Sequence, residues 1–150
     1  MPAAFTDEEL AAEREREAEG VAAPTVLMRA AALGDAARVR ALLAAGAGAA
    51  ADARSFFGMT ALMHASAAGS GDAVCALLEA GASVDAQDVD GWSPLHFAAH
   101  HGKVESARAL LQAGARPSLA NRNGVVAADV AAAIGAAKLA AMLAGDSSSW

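Results

Sequence analysis

Apolar residues along the chain come in leucine pairs that run into a glycine stop. Leu42-Leu43 precedes Gly46-Ala47, Leu77-Leu78 precedes Gly81-Ala82, and Leu110-Leu111 precedes Gly114-Ala115, so the glycines stand 35 and then 33 residues apart. A second set, Gly58, Gly91 and Gly124, keeps a spacing of 33. A third, Gly34, Gly69, Gly102 and Gly135, lies twelve residues before the first in every unit that has both. The two extra residues of the first interval fall between Gly46 and Gly58. A shared period on three markers predicts a tandem array rather than one irregular domain.

Each unit reads as a helical hairpin followed by a turn. In the third unit Gly91-Trp92-Ser93-Pro94-Leu95-His96 opens the first helix. Ser93 is placed to cap it through its hydroxyl, and Pro94 takes the first helical position, where no amide hydrogen is required. Thr60 and Ala61 stand in the same places one unit earlier. Ala98-Ala99, and Ala65-Ser66 before them, put small side chains where neighbouring helices must approach closely. Gly102 breaks the first helix, a second is predicted over about 104–113 with Leu110-Leu111 on its buried face, and Gly114 ends it. One hairpin cannot cover its own apolar face, so the units must stack.

These residues are similar to the ankyrin repeat. The third unit, GWSPLHFAAHHGKVESARALLQAGA, follows the family's G-x-T-P-L-H-x-A-A-x-x-G…LL-x-x-G-A pattern with Ser93 for Thr. The second keeps Gly58, Thr60, Leu62, Ala65, Gly69, Leu77, Leu78, Gly81 and Ala82, but has Ala61 for Pro and Met63 where His is usual, its histidine falling at His64. The first, LMRAAALGDAARVRALLAAGA, resembles an N-terminal cap that lacks the opening turn. In the last, Val126 replaces the capping Thr and Ala127 the Pro. The resemblance implies an all-α solenoid of about four helix-turn-helix repeats, bounded as 23–57, 58–90, 91–123 and 124–145. Outside it, Thr6 and Glu9 are spaced as a capping box with Phe5 and Leu10 as a hydrophobic staple. These predict a charged helical extension within residues 1–22, over about 7–19; residues 146–150 read as a polar tail.

Composition changes this picture little. The hydrophobic fraction is 55%, but 46 alanines make up more than half of it, so a mean hydropathy of +0.31 reflects small side chains. No apolar run reaches the roughly 18 residues of a membrane span, and Asp7, Glu8 and Glu9 near the start argue against a secretory signal. The single cysteine, Cys75, excludes an internal disulfide framework and suits a reducing compartment, so the expected location is cytoplasmic, with the nucleus as the alternative. Of the net charge of −6, residues 1–24 carry −5, with seven acids against Arg14 and Arg16. The remainder is close to neutral and has no basic stripe, which disfavours nucleic acid.

Catalytic and metal chemistry find little support. Cys75, between Val74 and Ala76 in a second helix, reads as a small buried thiol, no Ser-His-Asp or Cys-His arrangement can be traced, and the glycines are hairpin stops rather than a phosphate loop. His96 and His100 are spaced i, i+4 with His101 following, which can set two imidazoles on one face. By the family resemblance, however, His96 is the repeat's usual histidine, whose job is to hydrogen-bond the turns of its own and the neighbouring unit. No enzyme activity, cofactor or metal is expected.

The resemblance instead implies a protein partner held by the turn tips and the concave side of the first helices. Transferred here, the tip positions are Phe56, Phe57 and Met59; then Gln87, Val89, Asp90 and Trp92; then Arg122, Asn123 and Val125. The first-helix positions before the break are Ala67, Ala68, His100, His101, Ala133 and Ile134. Phe56, Phe57, Met59 and Trp92 are large apolar groups at an edge, the composition of an interface hot spot, unless Phe56 and Phe57 turn inward; Trp92 is expected to point outward. Lys103, Glu105 and Arg108 read as a solvated face. The expectation is a non-enzymatic interaction module, a monomer or weak homodimer; the alternatives are self-association through the same tips and, more remotely, a histidine-based metal site.

Overall fold

The computed structural model describes residues 26–46, 51–55 and 57–144. The expected 7–19 helix, Phe56 and the 146–150 tail lie outside them. Among the described residues there are eight helices and no strand: α1 (Val26–Ala32), α2 (Ala36–Ala44), α3 (Ala61–Ala68), α4 (Gly71–Glu79), α5 (Pro94–His100), α6 (Val104–Gln112), α7 (Ala127–Ala133) and α8 (Ala137–Leu143). None is long and apolar enough to cross a membrane. Helices of seven to nine residues are not stable alone in water, so each depends on its neighbours. First helices pack in the row α1–α3–α5–α7 and second helices in the row α2–α4–α6, with α8 against α7. This is the all-α solenoid that the repeat period predicts.

The Leu-Leu-x-x-Gly-Ala signature has a local cause. At the end of α6 the Ala115 N–H reaches back to the Leu110 carbonyl (3.0 Å) and the Gly114 N–H to that of Leu111 (3.1 Å). At the end of α4, Ala82 bonds Leu77 and Gly81 bonds Leu78, both at 3.0 Å. This is the Schellman stop, in which the residue after the cap must be left-handed and the next one touches the helix's buried face. Gly114 has φ +93°, and Ala115 and Leu110 are both buried. Gly34, Gly46, Gly58, Gly69, Gly81, Gly91, Gly102, Gly114, Gly124 and Gly135 all have positive φ, and no other described residue type does. The three glycine periods are therefore a direct record of backbone conformation.

Between the rows lies a thin core. Leu27, Leu62, Leu95, Leu77, Leu110 and Leu139 are fully enclosed, each contributing about 2 kcal/mol by leaving water. Ala30, Ala65, Ala98 and Ala131 are buried at the same position of successive first helices, where a missing side chain lets the backbones close in. Three groups depart from the pattern. Cys75 is half-buried rather than enclosed, because its side of α4 is only partly covered. Arg108 is half-buried, with Nε enclosed and unpartnered, and so is not a fully solvated member of its face; Lys103 and Glu105 are exposed. The Ser106 hydroxyl is fully buried with no hydrogen-bond partner, where α4 has Ala73.

Ser106→Ala is therefore expected to raise stability by about 1 kcal/mol, since it removes an unpaired buried hydroxyl and improves helix propensity. An unchanged or lowered thermal midpoint would refute this. Gly91→Ala should cost about 2 kcal/mol or more by the same measurement. Its φ is +81°, and an added Cβ would stand 2.8 Å from the Arg122 nitrogen and 3.0 Å from Asn121 Cα, backbone atoms that cannot swing aside.

Candidate interaction surface

The entries to α3, α5 and α7 are each held by one side-chain acceptor three residues inside the helix, and three different chemistries supply it. In α3 the Thr60 N–H donates to Met63 Sδ (3.4 Å); in α5 the Ser93 N–H donates to His96 Nδ1 (3.1 Å); in α7 the Val126 N–H donates to Asp129 Oδ2 (3.5 Å). Thr60 also caps as expected, its hydroxyl accepting from the Met63 N–H at 3.4 Å. Ser93 differs from expectation: its hydroxyl goes to His96 Nδ1 (2.8 Å) and not to a helix N–H. Once His96 turns inward, its ring nitrogen accepts the proton of the Ser93 hydroxyl.

His96 is fully buried and spans two repeats. Its Nε2 lies 2.8 Å from the Val125 carbonyl, which can only accept, so Nε2 carries the proton and Nδ1 is the acceptor facing Ser93. With both nitrogens committed, His96 cannot join His100 as a metal ligand. No group of three or more His, Cys, Asp or Glu among the described residues could hold a metal ion. The expected tie from this histidine to its own and the next turn is what the side chain makes.

The tips themselves are Asx-type turns in register. The N–H groups of Gly58, Gly91 and Gly124 donate to the carbonyls of Ser55, Asp88 and Asn121, at 2.9, 3.0 and 3.0 Å. The side chains of those three residues then accept from the same loops. Asp88 Oδ1 takes Asp90 N–H and Trp92 N–H (both 2.9 Å), Asn121 Oδ1 takes Asn123 N–H and Val125 N–H (2.9 and 3.0 Å), and Ser55 Oγ takes Met59 N–H (3.2 Å). Tip is bonded to tip through Val89 N–H to the Phe57 carbonyl and Arg122 N–H to the Asp90 carbonyl, both 3.1 Å. Asp52 accepts from Ser83 N–H (2.7 Å), and Asp85 from Arg116 N–H (3.0 Å). None of these anchors was singled out from the sequence, although Ser55, Asp88 and Asn121 lie 33 apart, as do Asp52 and Asp85.

The predicted contact residues divide accordingly. Gln87 is structural: its amide donates to the Gly91 and Ala120 carbonyls (2.9 and 3.0 Å), and its own carbonyl accepts from Arg54 (2.6 Å). Met59 is half-buried, and Val125 is half-buried and packed on the core, so neither is a free tip. Phe57 turns outward, 62% exposed, as does Val89 at 45%, and Asp90, Arg122 and Asn123 are exposed. Ala67 and Ala68 are half-buried, while Ala133 and Ile134 are exposed. Trp92 does not simply point outward. It is half-buried against the core, its ring 5.6 Å from His100 edge-on, 5.4 Å from Phe97 and 5.7 Å from His96. The aromatic cluster therefore splits into an exposed ridge, Phe57 with Val89, and a separate open cleft of about 470 Å³ lined by Asp88, Asp90, Trp92, Phe97, His100 and His101. Phe97, which escaped the sequence reading, stands i, i+3 and i, i+4 from the two histidines.

His100 and His101 are exposed, with ring centroids 5.0 Å apart. His101 titrates below its ordinary value through desolvation and then through the positive charges of His100 and Lys103. His64 occupies the position of Phe97 one repeat earlier, and burial alone lowers its pKa from 6.5. A histidine lowered in the folded state contributes stability above the unfolded value and loses it as pH falls, because the unfolded chain binds the proton first. The thermal midpoint should thus fall on acidification from about pH 7.5 to about 5.5, and fall less in His64→Phe. An equal fall in the two proteins would refute the assignment to His64.

A family model described as ankyrin repeats, in three copies, matches residues 10–88 and 27–121. No curated protein matches the chain. The period, the hairpin stack, the left-handed glycines and the buried inter-repeat histidine meet in one description, and the chain belongs to the ankyrin-repeat family.

Proposed function

We propose that this protein is a non-enzymatic binding module that holds a protein partner against its third repeat. Ankyrin repeats are generally protein–protein interaction modules, and the present reading narrows that role to one face. The observation that carries it is the cleft in which a half-buried tryptophan stands beside two exposed histidines, next to a tip ridge where Phe57 and Val89 are left in water. A large, stiff aromatic seated at the base of an open concavity gives contact area at little entropic cost. Cys75 and the buried His96 offer no assembled nucleophile and base. The same proposal sets the module in the cytoplasm or nucleus.

The test uses substitutions taken from the molecule's own repeats, so that packing is kept. Trp92→Met copies Met59, and Phe57→Asn copies Asn123. The double variant should retain the wild-type circular dichroism and thermal midpoint within a few degrees. It should lose a partner captured by the wild-type chain, by about 2 kcal/mol or more of binding. Undiminished capture would overturn the assignment to this face. Sedimentation of the isolated wild-type chain decides the second reading, suggested by the exposed Phe57 and Val89. A dimer abolished by Phe57→Asn would assign the ridge to a second copy of the chain.

A further inference from the structure

The third repeat departs from its neighbours at five positions. Position by position, Asp88 answers to Ser55 and Asn121, Asp90 to Phe57 and Asn123, and Trp92 to Met59 and Val125; His100 and His101 answer to Ala67 and Ala68, then to Ala133 and Ile134. Ser55 and Asn121 hold their turns as neutral side chains, so the fold does not require a charge at Asp88. The Asp90 carboxylate has no ion pair or hydrogen bond among the described residues, and Arg122 on the next tip makes no ion pair with it. All five departures line the one cleft, together with Phe97. It thus combines two carboxylates, one partly engaged and one open, with the aromatic surface of Trp92.

We infer that this cleft receives the guanidinium of an arginine presented by a peptide segment of the partner, stacked on Trp92 and paired with Asp90 and Asp88. The inference rests on the reading above that the third-repeat face is the binding surface. Charge complementarity selects a cation, because the cleft is lined by two acids and by no lysine or arginine. The aromatic wall favours arginine over lysine, since a planar and weakly hydrated guanidinium can stack on indole while its N–H groups reach a carboxylate. A site of about 470 Å³ accommodates such a side chain with room for its backbone at the open rim.

The experiment titrates the full chain with a short glycine-serine peptide carrying one central arginine, and with the same peptide carrying lysine or glutamine. The readout is the Trp92 indole N–H resonance, assigned through Trp92→Met and so distinguished from that of Trp150. The arginine peptide should shift this resonance saturably, the lysine peptide more weakly, and the glutamine peptide not at all. Asp88→Asn with Asp90→Asn, which rewrites this tip with the neutral residues of the next, should keep the fold and weaken arginine binding by roughly tenfold or more. Asp72→Asn with Glu105→Gln, which removes two exposed acids elsewhere, should leave it unchanged. Equal binding of the glutamine peptide, equal loss in the distant pair, or no shift at millimolar peptide would each overturn the inference. A partner lost on Trp92→Met but retained by the double asparagine variant would overturn the arginine assignment alone and leave the binding face standing.

Discussion

The stack depends on the backbone contact between successive tips. Gly58 and Gly91 hold positive φ, and the next tip lies directly against the place where a Cβ would stand, the Val89 nitrogen at 3.2 Å in one case and the Arg122 nitrogen at 2.8 Å in the other. That approach permits the bonds from Val89 to Phe57 and from Arg122 to Asp90, and these set the register in which each hairpin meets the one before it. Register matters because no helix among the described residues exceeds nine residues. Such helices survive only by packing, and a stack displaced along its axis would set leucine against solvent. Buried leucines supply most of the driving force; the tips decide where it is applied.

Within that frame a single geometric demand is met by unlike side chains. The helix-entry acceptor is a thioether, an imidazole or a carboxylate in successive repeats, and the turn anchor is a hydroxyl, a carboxylate or an amide. Each helix-entry acceptor takes the N–H of the capping residue, and each turn anchor takes the N–H of the residue after the glycine, Met59, Trp92 or Val125. They differ in what else they bring. The Met63 sulfur accepts within its own repeat, whereas His96 reaches onward to the Val125 carbonyl and ties the third unit to the fourth. Asp88 holds its turn no better than Asn121, yet leaves a negative charge at the mouth of a cleft. Where a structural role is equally well filled by a neutral residue, the surplus property is the part available for recognition.

Electrostatics follows the same division. The ion pairs between described residues are exposed or half-exposed, as in Arg40 with Glu79 at 3.7 Å, and such pairs stabilise a fold only slightly. Asp52 and Asp85 do more because they accept backbone N–H groups from the following repeat. At the third repeat the charges serve neither purpose fully: Asp90 lies open, and the histidines opposite it are exposed. This concentration of uncommitted chemistry at one level of the stack distinguishes that face from the alanine-lined surface around Ala67 and Ala68.

The role of His96 as a link between turns followed from the family resemblance; the glycine periods, the leucine pairs and the residues after each turn sufficed to determine the helical hairpins, their number and their stacking. These are local facts, since a left-handed glycine, a Schellman stop or a cap is settled within about six residues of chain. What the sequence could not settle is which side chain at a tip faces a neighbour and which faces water. Gln87, Met59 and Val125 had the address of contact residues, but the Gln87 amide is taken by the Gly91 and Ala120 carbonyls, Val125 packs on the core and Met59 is half-buried. Trp92 and Phe57 stood in one expected patch, but the stack turned one onto the core beside Phe97 and left the other outside. For Gln87 the outcome depends on an acceptor 33 residues away, brought within hydrogen-bond reach only when one repeat lies on the next. Periodicity records the fold because the fold repeats; the departures of the third repeat have no period, and only the stacked structure brings them together around one cleft.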